Sequence, residues 1–171
     1  MAYSQAPKLA SLYCIDENGK ATTKIDSVTI SNGIVWTKDK KTMYYIDTPS
    51  KKIRAFDFDR ATSAISNERV LWDTSTDPSV PDGMTIDSQD RLWIAFCHGG
   101  KVVCFNPETK KVEQQIDFPC VETTACAFGG PDLGDLYITT GLKPGLEEPL
   151  AGRLFVCRPG ATGVPSEAFG G

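Results

Sequence analysis

The chain has 171 residues, a formal net charge of −4, and ordinary shares of hydrophobic (40%) and charged (23%) residues. That is enough chain for one globular domain with a sizeable core. The lack of any Lys/Arg run or basic patch argues against nucleic acid and anionic membrane as partners, and no apolar run reaches the ~18 residues of a spanning helix.

Met1-Ala2-Tyr3-Ser4-Gln5 has neither a charged n-region nor an apolar h-region, so residues 1–9 are expected to be a tail and not a secretory signal. From residue 10 the pattern is β throughout. No window keeps apolar residues at helical spacing for three turns. Short β-branched and aromatic runs alternate with Gly, Pro, Asp and Asn. In chain order the expected strands are Leu12–Ile15, Ile34–Trp36, Met43–Asp47, Ile53–Phe58, Ser66–Trp72, Met84–Asp87, Leu92–Phe96, Lys101–Asn106, Val112–Phe118, Ala125–Phe128, Leu136–Thr139 and Leu154–Cys157. Turn chemistry separates them, as in Asp16-Glu17-Asn18-Gly19, His98-Gly99-Gly100 and Asn106-Pro107-Glu108.

The strands repeat. Leu12-Tyr13-Cys14-Ile15, Ile53-Arg54-Ala55-Phe56, Val102-Val103-Cys104-Phe105 and Leu154-Phe155-Val156-Cys157 are each followed by a polar turn, at successive spacings of 41, 49 and 52 residues. A period of ~40–50 residues with about four strands per unit is that of β-propeller blades. The chain holds about three blades, fewer than closure needs. Open sheet faces at both ends would favour self-association.

The six cysteines (Cys14, Cys97, Cys104, Cys120, Cys126 and Cys157) form no C-x-x-C pair and mostly sit in apolar strand patterns. They read as reduced, partly buried thiols of a cytoplasmic protein, with Cys/His spacing unsuited to zinc. His98 is the sole histidine and reads as an exposed turn residue.

Two triplets carry the chemistry. Ser31-Asn32-Gly33 precedes Tyr44, which lies 12 residues after Asn32; Pro81-Asp82-Gly83 precedes Trp93, 11 residues after Asp82. Each triplet alone also reads as a turn. Hard-oxygen side chains at equivalent points of a repeat point instead to convergence on one cation.

Several runs in order resemble the regucalcin (senescence marker protein)/gluconolactonase family: Ile30-Ser31-Asn32-Gly33-Ile34-Val35-Trp36, Met43-Tyr44-Tyr45-Ile46-Asp47, Val80-Pro81-Asp82-Gly83-Met84, Arg91-Leu92-Trp93-Ile94-Ala95, Thr123-Thr124-Ala125-Cys126-Ala127-Phe128-Gly129-Gly130 and Ala151-Gly152-Arg153-Leu154-Phe155. The resemblance runs from about Ala10 to Phe169. It implies that residues 10–171 form a partial, all-β propeller, about three four-stranded blades of a six-bladed fold, matching the C-terminal half. It implies one divalent cation (Ca, Zn, Mn or Mg) held by Asn32, by Asp82 and by a Glu of the first blade that this sequence does not contain. Asp82 would also be the catalytic base, and the substrate a small-molecule sugar lactone. The alternative is a calcium-binding or interaction module without catalysis.

The remaining polar residues take plainer readings. Asp47 is expected to bond a turn at its strand end. Glu147 and Glu148 fall in a solvated, turn-rich loop at the cavity mouth. Tyr44, Trp93 and Tyr137 occupy equivalent blade-packing positions. Ser31 has no G-x-S-x-G context and is not a nucleophile.

Overall fold

The computed structural model describes residues 6–167. Met1 to Gln5, within the expected N-terminal tail, and the last four residues of the expected 10–171 domain lie outside the described residues. Thirteen strands and one 3-10 turn follow in chain order: β1 (Ala10–Ile15), β2 (Ala21–Val28), β3 (Ser31–Trp36), β4 (Thr42–Asp47), the turn Thr48–Ser50, β5 (Lys52–Asp59), β6 (Ala64–Asp73), β7 (Val80–Ile86), β8 (Leu92–Cys97), β9 (Lys101–Asn106), β10 (Lys111–Asp117), β11 (Thr123–Gly129), β12 (Asp135–Thr140) and β13 (Leu154–Cys157).

Consecutive strands pair antiparallel into four sheets: β1-β2, β3-β4-β5-β6, β7-β8-β9-β10 and β11-β12-β13. The expected all-β, blade-like architecture is therefore present, with two complete four-stranded blades, one three-stranded sheet and one two-stranded sheet. β2 was not expected. Its sequence, Ala21-Thr22-Thr23-Lys24-Ile25-Asp26-Ser27-Val28, buries only Val28 fully. Its threonines favour strand but give no apolar alternation to read.

The blades stack because their middle strands are apolar on both faces. In β8, Leu92, Ile94 and Phe96 pack with Tyr44, Ile46, Ile53 and Ala55 of the preceding blade. The alternate residues Trp93 and Ala95 pack with Cys126, Leu136 and Ile138 of the following one. A period-2 strand buried on both faces reads as a continuous apolar run, which Leu92–Phe96 is. A third cluster, Val28, Met43, Tyr45 and Phe56, seats the β1-β2 sheet on the outer face of the β3–β6 blade. The outer strands β6 and β10 are largely exposed. The far face of the last sheet is open, with Leu154 64% and Val156 59% exposed.

β3, β7 and β11 are the inner strands. β3 lies against β7, and β7 against β11. The contacts are backbone-close. A Cβ on Gly33 would stand 2.5 Å from the Met84 Cβ and 2.9 Å from the Asp82 carbonyl oxygen, and a Cβ on Gly83 would stand 2.5 Å from the Ala125 Cβ. These glycines are where one inner strand touches the next.

Candidate functional site

Both triplets lie inside strands. Ser31-Asn32-Gly33 begins β3 and Pro81-Asp82-Gly83 lies within β7, which corrects the turn alternative for both. Pro81 is tolerated because β7 is an edge strand, paired only with β8. Each triplet falls in a break of register: between Ser31 and Ile34 against β4, and between Pro81 and Met84 against β8. A bulge bends a strand and re-aims its side chains, and here it does so at the two residues the repeat singled out.

Register fixes the equivalence. Val35 faces Tyr44, Thr85 faces Trp93 and Ala127 faces Tyr137 across their ladders. Counting back three residues from each gives Asn32, Asp82 and Thr124. The third blade thus offers a hydroxyl where the others offer an amide and a carboxyl. The Thr124 hydroxyl lies 2.8 Å from that of Thr139. Thr124 falls in the family-resembling run of residues 123–130, where nothing in the sequence alone gives it a place in the site.

The environment of Asn32 is held by short bonds. Its Nδ2 donates to Thr48 Oγ1 at 3.1 Å. Asp47, at the end of β4, accepts the Ile30 N–H at 2.8 Å and the Thr29 N–H, fixing the entry to β3 as expected of a strand-end carboxylate. Tyr45 Oη donates to Ser31 Oγ at 2.7 Å.

Asp82 is half-buried. Desolvation pushes its pKa up to about 6; the Asn32 side chain opposes this by hydrogen bonding, Glu122 adds to it by its charge, and His98 opposes it. The Asn32 amide therefore stands between Thr48 and Asp82. The Thr48 hydroxyl can donate as well as accept, so an amide flipped to present Oδ1 keeps its Thr48 bond but gives up the hydrogen bond to Asp82, which a cation between the two oxygens would replace. No cationic side chain forms an ion pair with Asp82 among the described residues. A desolvated carboxylate beside an amide that can turn its oxygen toward it, with no ion-paired side chain to neutralise it, is a donor set that fits a hard divalent cation.

His98 is in the expected turn, between β8 and β9, and its side chain is 50% exposed. It is not solitary, however: its Nδ1 lies 2.8 Å from Glu122 Oε1. Cys97 Sγ donates to Glu122 Oε2 at 2.7 Å. Burial, the Glu122 bond and the neighbouring negative charges push the Cys97 thiol up to about 12. Burial works to raise the Glu122 pKa, but the bonds from Cys97 and His98 outweigh it and hold the group below its ordinary value. All six cysteines are free thiols. The loop from Gly141 to Gly152 is mostly exposed, as expected at Glu147, yet Glu148 turns inward and accepts the Val121 N–H at 3.0 Å.

The larger clefts lie elsewhere. One of about 530 Å³ is walled by Trp36, Phe58, Ile86 and Val164. Neither Asn32 nor Asp82 lines it.

The family profile described as the SMP-30/Gluconolactonase/LRE-like region matches residues 1–141. Regucalcin of Xenopus laevis is 38% identical over 168 residues, which are 94% of this chain and 56% of that protein. A solved luciferin-regenerating enzyme superposes with a TM-score of 0.85 at 31% identity, over 92% of this chain and 54% of that one. The structure of a regucalcin from Agrobacterium tumefaciens, described as a calcium-binding protein, superposes with the same TM-score of 0.85 at 23% identity, over 91% of this chain and 54% of that one. This chain thus spans a little over half the length of each.

Proposed function

The chain belongs to the SMP-30/gluconolactonase/LRE-like family, and from that premise we propose that it carries the Asn32/Asp82 part of a divalent-cation-dependent sugar-lactone hydrolase. The observation that carries this reading is the placement of an amide and an unneutralised carboxyl at equivalent bulges of two touching inner strands.

A lactone is a cyclic ester, and its hydrolysis needs the carbonyl polarised, a water deprotonated and the developing oxyanion stabilised. A divalent cation bound by the two side chains supplies the first and third. The residues supply the rest. Asp82, whose pKa burial raises to about 6 in the ion-free chain, is the group placed to take a proton from water at a carboxylate oxygen. Asn32 contributes a neutral oxygen, which keeps the anionic charge around the ion low. Thr48 holds that amide, while Asp47 and Tyr45 fix the backbone and Ser31 just before it.

The resemblance assigns a third ligand, a Glu of the first blade, beyond these two residues, and turnover by Asn32 and Asp82 alone should be slow. The reading is tested by pH-stat hydrolysis of glucono-δ-lactone with calcium, manganese or zinc, alongside calorimetric titration of the cation. Cation binding and whatever turnover exceeds buffer should both disappear in Asp82→Ala. Binding and turnover that are indifferent to Asp82→Ala overturn it. A second reading, a calcium-binding module without catalysis, is favoured by the donor set being one ligand short of the three that the resemblance implies. Binding at Asp82 with no turnover selects it.

A further inference from the structure

A second cluster of donors stands beside the inner strands and supplies no ligand or base in the scheme above, acting on Asp82 only through charge. Cys97 and His98 end β8 and begin the turn to β9, and Glu122 precedes β11 by one residue. A β-bridge joins Cys97 to Glu122. The Cys97 Sγ, the His98 Nδ1 and a Glu122 carboxylate oxygen all lie within 4.8 Å of one another. Glu122 is 2.7 Å from the sulfur and 2.8 Å from the ring nitrogen, and the sulfur and nitrogen are 4.0 Å apart. The sulfur sits as near the carboxylate as two oxygens do in an ordinary hydrogen bond. An atom of that size so close to an anion needs a proton or a cation between them.

The backbone around the cluster is fixed on each side. Gly99 N–H bonds the Phe96 carbonyl at 3.1 Å, Gly100 N–H bonds the Val121 carbonyl at 3.0 Å, and Gly141 N–H bonds the Glu122 carbonyl at 2.7 Å. His98 adopts φ +65, a left-handed conformation uncommon outside glycine, and that turn brings the ring to the carboxylate. One residue before Glu122, the Val121 N–H is taken by Glu148, whose Oε2 is buried without a hydrogen-bond partner.

We propose that Cys97, His98 and Glu122 form a second cation site, separate from the Asn32/Asp82 site, that takes a borderline ion such as Zn2+ on one sulfur, one nitrogen and one oxygen. This goes beyond the lactonase reading and does not depend on it. The Asn32/Asp82 site offers only oxygens and suits hard cations. A thiolate–imidazole–carboxylate set selects a softer one, with a fourth position left for water. Tetrahedral zinc, with bonds of about 2.0–2.3 Å, holds such donors roughly 3.3–3.5 Å apart. Glu122 therefore recedes from sulfur and nitrogen by about half to one ångström, and the sulfur and nitrogen close in by about half. On binding, the Cys97 thiol releases its proton to the buffer and the sulfur bonds the ion as thiolate, with no change of oxidation state.

The test uses the whole 171-residue chain with Co2+ as a spectroscopic probe and Zn2+ as competitor. The expected result is a thiolate-to-cobalt charge-transfer band that saturates at one equivalent and is erased by one equivalent of Zn2+. Cys97→Ser should abolish the band. Glu122→Gln and His98→Asn should each weaken Zn2+ binding by roughly tenfold or more, the scale of losing even an indirect contact to a metal. His98→Asn is chosen because asparagine accepts positive φ, so the turn survives. Asn32→Ala and Asp82→Asn should leave the band in place, which separates this site from the other. Absence of the band in the parent chain, or its persistence in Cys97→Ser, overturns the proposal.

Discussion

Gly83 and Ala125 touch through bare backbone: a Cβ on Gly83 would meet the Ala125 Cβ at 2.5 Å and its Cα at 2.7 Å. The residue beside that contact on each strand holds the same register position, Asp82 on β7 and Thr124 on β11. The same relation holds one blade earlier, where Gly33, after Asn32, abuts Asp82 and Met84. Close approach of the inner strands thus sets Asn32, Asp82 and Thr124 on neighbouring strands, and glycine is what permits the approach.

Gly83→Ala should therefore destabilise the fold, by about 1–3 kcal/mol as for overpacked cores. The obstacle is mainchain and a short side chain, neither of which can swing away. The urea midpoint measures this, and an unchanged midpoint would show the strands free to part.

Asp82→Asn should stabilise the chain at neutral pH while removing cation binding. The Asp82 pKa is raised to about 6 from an ordinary 3.8. The folded state therefore holds the proton more tightly than the unfolded state does. The sign follows: this group's penalty is absent below pH ~4, grows as pH rises and is complete above ~6. At pH 7.5 the variant should gain about 1–2 kcal/mol, once partial exposure is discounted. The gain should shrink toward zero by pH ~4. Paired urea titrations at the two pH values check it.

Cation affinity at Asn32/Asp82 should fall as pH drops through ~6, approaching tenfold per unit, because the ion competes with the proton for one carboxylate. Glu122 and His98 are the neighbouring charges that shape this profile. Calorimetric titration of calcium between pH 5 and 8 measures it.

The second blade also rests on one buried ion pair. Asp87 is fully buried and accepts from Trp93 Nε1 at 2.9 Å and Arg91 Nε at 2.8 Å. Asp87→Ala strands both donors and should cost about 3–5 kcal/mol. Chemical denaturation followed by tryptophan fluorescence reports it, since Trp93 is at the break.

Much of this was legible because propeller middle strands are apolar on both faces. Leu92–Phe96 and Val102–Phe105 could hardly be anything else. The equivalent placement of Asn32 and Asp82 was legible because equivalent positions in a repeat stay equivalent in space. β2 was not, since Thr22, Thr23 and Lys24 pack against little and carry no alternation. The pairing of His98 with Glu122 was not legible either. The two residues are 24 apart, and only the docking of one inner strand against the next makes them neighbours. A clue was available: Thr123-Thr124-Ala125 holds the place of Ser31-Asn32-Gly33, which puts Glu122 at the mouth of the third inner strand.

The shared-ion claim is tested most directly by adding Mn2+ to the isotope-labelled chain and mapping paramagnetic broadening of backbone amides by NMR, a readout that registers even weak binding. Broadening centred on residues 32, 82 and 124 together, and lost in Asp82→Asn, is the predicted result. Broadening confined to other acidic surfaces, or unchanged in Asp82→Asn, would contradict a cation held jointly by Asn32 and Asp82.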